Sequence, residues 1–425
     1  MKKAYRELKT FLVLWSTQSL SQLGSAMTGF ALTLWLYEKT GSALGTALLS
    51  ICSYGPYVLM SVFAGTLCDR WDKKRTMLVC DALAACCSAA VLVLLRLDAL
   101  RPGHLYVLNV VTGLMNTVQS PAGDVAMTLI TPRAQYQRAS ALRSFSGSLV
   151  TLLHPVLAAA LFALAGMEGV ILVDLATFAA AALALALFVP IPAAGPDRTG
   201  GQSLLSSARA GLAWLRQNGL ILTLILFMAG VNFVASAFDA ALPAYVLSSP
   251  KGGERALGAV SSCAGLATLA GSLLAAALPP PKDRVRVIWR TALFSLGTEN
   301  LILAFAGTPV WWCLAQIAGW SVVPVMNANL DVILRGTIPP AIQGRVYACR
   351  NTLQFFTIPL GLFAGGFLTD RVCGPLTADP DGALARLFGA GGAPGPALTM
   401  FLLGALGVAV CLAFRRPMGK YTYKE

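Results

Sequence analysis

The chain has 425 residues, 56% of them hydrophobic and 12% charged, with a formal net charge of +13. Soluble domains use about twice that share of charge, so a soluble globular fold is excluded. Stretches such as Leu152–Leu164 and Gly258–Leu278 carry no charge, unlike amphipathic surface helices, and the ~10-residue alternation of a membrane barrel does not occur.

A bilayer-crossing helix needs roughly 20 apolar residues. Windows bounded by charge, Gly or Pro predict twelve spans: 11–37, 43–68, 76–96, 103–129, 140–165, 168–189, 219–247, 255–278, 286–306, 309–334, 346–369 and 396–414. The first is too long for the apolar core of a signal peptide and lacks a small-x-small cleavage site, so it reads as a retained span. Gln18, Ser21, Gln22 and Ser25 share one of its faces. The second runs into the charged loop Gly65–Arg75, and the third carries Asp81, an expected interfacial partner near Arg75. In the fourth, Asn109, Asn116 and Ser120 recur at helical spacing, and Asp124 lies about two turns before the next loop. His154 and Pro155 sit in the fifth and Asp174 in the sixth.

Residues 190–218 form a long break, rich in Pro, Ala, Gly and Ser, that ends in an amphipathic stretch, Leu204–Leu215. It separates an expected domain at 1–189 from one at 219–425. Beyond it, Asn232, Ser236 and Asp239 in the seventh span return to one helical face, which implies a water-lined cavity. Glu299 lies in the ninth span, and Gln316, Asn327 and Asp331 in the tenth. An outer loop, 371–395, precedes the last span.

With a cytoplasmic N-terminus, and each span-end residue assigned to its nearer side, 25 Lys and Arg fall on the cytoplasmic side and seven outside. That asymmetry follows the positive-inside rule and implies cytoplasmic termini. The basic residues are dispersed over seven short segments and form no stripe, which excludes nucleic acid as a partner. Asp124, Val125, Pro132 and Arg138 recur as Asp331, Val332, Pro339 and Arg345 at one offset of 207 residues, which also sets Asn109 against Gln316 and Ser120 against Asn327. Two parallel six-helix halves are a transporter architecture with the substrate site between them.

Ionisable side chains within spans are costly, which makes each a functional candidate. Asp239, Asp331 and Glu299 are the candidates for proton coupling. Gln18, Gln22, Asn109, Asn116, Asn232, Ser236, Gln316 and Asn327 are neutral groups suited to orienting a substrate; the competing reading is polar glue between helices, worth ~0.6 kcal/mol per contact. No cofactor is expected: nine of the ten cysteines lie in or beside apolar stretches without a C-x-x-C pair, the two histidines are far apart, and no Walker loop surrounds Gly419-Lys420. No nucleophile, base or metal-ligand cluster converges, so an enzyme is not expected.

The loop Gly65-Thr66-Leu67-Cys68-Asp69-Arg70-Trp71-Asp72-Lys73-Lys74-Arg75 resembles the signature loop of the major facilitator superfamily, G-x-L-x-D-R-x-G-R-K-R, in its place between spans two and three. Ser21–Ser25, Thr40–Ala43, Gly344–Val346 and Pro359–Gly361 extend the resemblance toward the branch of macrolide-efflux and enterobactin-exporter proteins. A carboxylate at Asp69 can accept from exposed N–H groups at the start of a neighbouring helix, and Gly65 permits close approach. The resemblance implies that this neighbour is the eleventh span, and that Asp124 pairs with the basic end of the loop at Arg75. Gly65, Asp69, Arg70, Arg75 and Asp124 would then form a gating latch.

The resemblance further implies an all-α integral membrane fold of two pseudo-symmetric six-helix bundles, a cavity lined by spans one, four, seven and ten, and spans six and nine at the periphery. The implied function is proton-coupled efflux of small amphipathic molecules, macrolide- or siderophore-like, by a monomer in lipid of the cell membrane. Alternatives are symport of a small metabolite and a non-transporting receptor or lipid-handling protein. Two departures stand out. Asp72 replaces the usual Gly, and His154-Pro155 with Ala158-Ala159 stands where antiporters of the superfamily often carry Gly-Pro and paired glycines.

Overall fold

The computed structural model describes residues 9–132, 135–191, 204–339 and 342–421, without the side chains of 61–70, 136, 137, 140, 141, 204–208, 343–345 and 348. The described residues are helical with no strand. In chain order come α1 (Lys9–Thr40), α2 (Ala43–Arg70), α3 (Lys73–Arg96) and α4 (Pro102–Ile130). One helical stretch, Tyr136–Phe188, is interrupted at Gly166, with φ 64° and ψ −170°, and forms α5 (136–165) and α6 (167–188). Then follow α7 (Leu204–Gln217), α8 (Gly219–Ser248), α9 (Glu254–Ala277) and α10 (Arg284–Phe305).

The tenth and eleventh expected spans are each broken by a proline, which lacks an N–H and clashes with the carbonyl four residues back. Pro324 lies in the first turn of the second piece of one, giving α11 (Pro309–Trp320) and α12 (Val323–Thr337); Pro359 does the same in the other, giving α13 (Gln343–Phe355) and α14 (Thr357–Phe367). A π-helical turn at Leu368–Cys373, the short α15 (Gly374–Leu376) and α16 (Ala383–Phe388), and α17 (Pro394–Gly419) complete the chain.

Eight helical segments among the described residues are long and apolar enough to cross a membrane, one of them the double stretch around Gly166. The helices α1, α4 and α10 fall short because Gln18, Gln22, Asn109, Asn116, Gln119, Arg286, Arg290 and Glu299 interrupt their apolar runs. Together these elements are consistent with twelve spans.

Asp72, the residue that departs from the signature loop, is the N-cap of α3 and accepts from the Arg75 N–H at 2.8 Å. Asp283 caps α10 in the same way, accepting from the Arg286 N–H at 2.9 Å. The corresponding loops of the two halves thus share a cap, worth about 1 kcal/mol, where they share little sequence.

By internal packing the chain divides into two units, residues 1–39 with 49–199 and residues 40–48 with 200–425. In the first, Leu32, Trp35 and Leu36 of α1, Leu105 of α4 and Ile171 of α6 form one buried cluster. In the second, the fully buried Tyr245 and Trp312 meet edge to face at 5.5 Å, and the Tyr245 hydroxyl lies 2.7 Å from the carbonyls of Leu303 and Ala306 at the end of α10. It supplies a donor where the helix has none left.

Residues 40–48, the start of α2, pack within the second unit. The Asp370 carboxylate, in the π-helical turn, accepts from the Ser42 hydroxyl at 2.6 Å and from the backbone N–H groups of Ala43 at 3.0 Å and Leu44 at 2.9 Å. A carboxylate at a helix N-terminus satisfies free donors and complements the dipole.

Candidate functional site

The first unit contains a cavity of about 760 Å3. Its walls are about evenly polar and apolar, the polar part including Gln18, Gln22 and Ser25 from α1, Asn109 and Asn116 from α4, and the carboxylates of Asp81, Asp124 and Asp174. Four of the expected substrate-orienting residues, Gln18, Gln22, Asn109 and Asn116, therefore lie on one cavity. Gln22 and Asn116 are exposed within it, while the Asn109 amide is partly occupied by the Leu105 carbonyl at 2.9 Å.

Asp124 forms an ion pair with Arg143 of α5, which corrects the expected pairing with Arg75. The Arg75 backbone is held by Asp72, and Arg143 projects from the start of the neighbouring helix onto the same cavity wall. Gly65, Asp69 and Arg70, the core of the expected latch, have side chains outside the described residues. Asp81 is also placed differently from its expected interfacial role. It is 2% exposed and accepts from the amides of Gln18, at 3.3 Å, and Gln119.

A second cavity, of about 430 Å3, lies in the second unit. Apolar groups such as Met228, Phe238 and Leu330 dominate its walls, with Asn232, Glu299, Asn327 and Asp331 among the polar ones. Asn232 donates to the Gln354 carbonyl at 3.2 Å. Asp331 is close enough to Arg350 for their charges to interact.

Glu299, expected at the periphery, is instead interior: it is 5% exposed and accepts from the Trp320 indole N–H at 3.1 Å. Gly319 makes room for it, since a Cβ there would collide with the carboxylate. Asp239 lies within electrostatic reach of Glu299, but its side chain is exposed and lines neither of the two cavities, unlike the expected placement on a cavity-lining face.

Two residues leave the expected set. Ser236 is buried where Gly361 of α14 packs onto α8, so it serves helix packing rather than the cavity. Gln316 is 1% exposed with its Nε2 unpartnered, away from either cavity wall. Asp174, Gln119 and Arg143 were missed as site residues. The charge of Asp174 inside a span was the available signal for it, but a place on the sixth span argued for the periphery.

The fold, with a cavity inside each unit, defines a multi-pass membrane protein. The chain belongs to the Major Facilitator Superfamily, whose family model matches residues 14–362. Among similar proteins, macrolide efflux protein A of Streptococcus pyogenes is 24% identical over 369 residues, covering 85% of this chain and 90% of that protein. The multidrug efflux pump Tap of Mycolicibacterium fortuitum is 24% identical over 356 residues, covering 82% and 86%. Among solved structures, the nucleoside transporter NupG aligns with a TM-score of 0.66 at 14% identity, covering 97% of this chain and all of that one. A bacterial homologue of the iron transporter ferroportin, in an inward-facing state, aligns at 0.67 and 15% identity, covering 95% and 99%. At such identities the structural likeness speaks for the fold alone.

Proposed function

We propose that the protein is a proton-coupled exporter of small amphipathic molecules, macrolide- or siderophore-like, working by alternating access in the cell membrane as a monomer with cytoplasmic termini. Two bundles, 1–189 and 219–425, joined by the linker 190–218, carry the alternation. The observation that supports this best is the character of the two cavities. One is broad and hydrogen-bonding, the other apolar with a few polar groups, and neither is ringed by the cations that a phosphate or carboxylate substrate needs. The relatives named for macrolide and multidrug efflux favour the same direction of transport. Asp239, with Glu299 and Asp331 behind it, is the proposed proton-coupling group. Gly65, Asp69, Arg70 and Arg75 form the proposed latch; Asp124 is held instead by Arg143.

Inverted membrane vesicles test the reading. An imposed proton gradient should drive concentrative uptake of ethidium or a macrolide, and Asp239→Asn should abolish it. Uptake that survives collapse of the gradient overturns proton coupling, and an unchanged mutant overturns the choice of Asp239. Net movement in the opposite sense would make the protein a symporter.

A further inference from the structure

Asp174 is 1% exposed on α6, and its oxygens meet only neutral partners. Ser88 of α3 donates to Oδ2 at 3.0 Å, and Ser25 of α1 lies 3.2 Å from Oδ1. The Thr28 hydroxyl, also on α1, is near the carboxyl but completes no hydrogen bond, although it is itself buried. Gly24 brings α1 this close, since a Cβ there would meet the Thr177 hydroxyl and stand 3.1 Å from Asp174 Oδ1. Among the described residues, the titratable and charged groups that share its cavity are Asp81 and Cys87 of α3 and Asp124 paired with Arg143 of α5; nearby, Glu168 of α6 is held by Arg96 of α3, His154 of α5 meets Phe30 of α1 edge to face, and the adjacent face of α1 is uncharged.

An ionised carboxylate in this position meets hydroxyl donors alone, with no cation against it among the described residues, a costly state inside a membrane protein. The Ser25 hydroxyl carries one proton, and two oxygens compete for it, Asp174 Oδ1 at 3.2 Å and the Ser21 carbonyl at 3.1 Å. If Asp174 is protonated, the carboxyl and both serines are matched, and Thr28 alone is left over: Oδ1–H donates to Ser25 Oγ, Ser25 donates to the Ser21 carbonyl, and Ser88 donates to Oδ2. On loss of the proton the Ser25 O–H turns from the Ser21 carbonyl to Oδ1, and Thr28 stands ready as a further donor. Both charge states are served by rotating hydroxyls, without movement of heavy atoms. Ser25 is also exposed and lines the 760 Å3 cavity, so the proton has a path to water.

We propose that Asp174 is a proton-exchange site of the transport cycle, neutral in this conformation and opening to the cavity through Ser25. Its role in the cycle rests on the proton-coupled reading above; its protonation does not. Infrared difference spectra of the full chain in lipid, mildly acidic minus mildly alkaline buffer, should show a carboxyl C=O band that is missing in Asp174→Asn and displaced in Ser25→Ala. Three results would overturn the site: wild-type and Asp174→Asn spectra that coincide, a band that pH does not move, or a band lost when sodium chloride replaces choline chloride at constant pH, which would assign it to sodium. The Ser25→Ala shift carries the test should Asp174→Asn fail to fold. In inverted vesicles with ethidium as probe, Asp174→Asn should lose gradient-driven uptake and retain downhill movement. Wild-type vesicles without driven uptake would defeat the proton-coupled reading and with it the place of Asp174 in the cycle, leaving the infrared result to stand. Driven wild type with an equally driven Asp174→Asn defeats the role of Asp174 alone.

Discussion

Glu299 shows how a single residue and its supports act together. Its carboxyl takes the Trp320 N–H, and Gly319 on the same helix as Trp320 leaves the space. Glu299→Gln keeps an oxygen for the indole and should leave the thermal midpoint of the detergent-solubilised protein nearly unchanged. Glu299→Leu strands the indole N–H, a loss of about 1–3 kcal/mol, and should lower the midpoint clearly. Equal midpoints for the two variants would mean that the hydrogen bond contributes little. At this scale the sequence named the right atoms more often than the right surroundings. Asp239, Glu299 and Asp174 were visible as charges in apolar runs, yet whether each meets an indole, a hydroxyl or open space depends on helices far away in the chain.

At the level of elements, the sharpest local constraint is Gly166, whose φ of 64° and ψ of −170° fall in a region that only glycine enters freely. Gly166→Ala should cost about 1–3 kcal/mol, read as a lower unfolding midpoint, whereas Gly147→Ala, at an open helical position, should not. Matching midpoints would mean that the turn relaxes. The windows 140–165 and 168–189 were legible from hydropathy, whereas the caps Asp72 and Asp283 emerged only with the structure. The breaks after Trp320 and Phe355 fall inside windows read as unbroken, 309–334 and 346–369; Pro324 and Pro359 stand beside them, but in apolar runs a proline either kinks or interrupts, and packing selects the outcome. The π-helical turn that presents Asp370 to the start of α2 had no sequence signal, because its partner lies 326 to 328 residues away.

For the whole molecule, the 25-to-seven partition of Lys and Arg implies an orientation that can be measured. A fluorescent protein that matures only in the cytoplasm, fused after Glu425, should be bright, and the same protein inserted in the loop 371–395 should be dark; the reverse pattern would invert the topology. The sequence by itself determined the helical class, the membrane environment and the duplicated plan, since those depend on composition, apolar run length and charge placement, all additive along the chain. Tertiary structure decided which polar groups share a cavity. It drew Asp174 and Glu299 inward from an expected periphery, turned Ser236 into a packing residue, and gave Asp124 to Arg143, because a buried polar group takes whichever partner the neighbouring helices bring within about 3 Å.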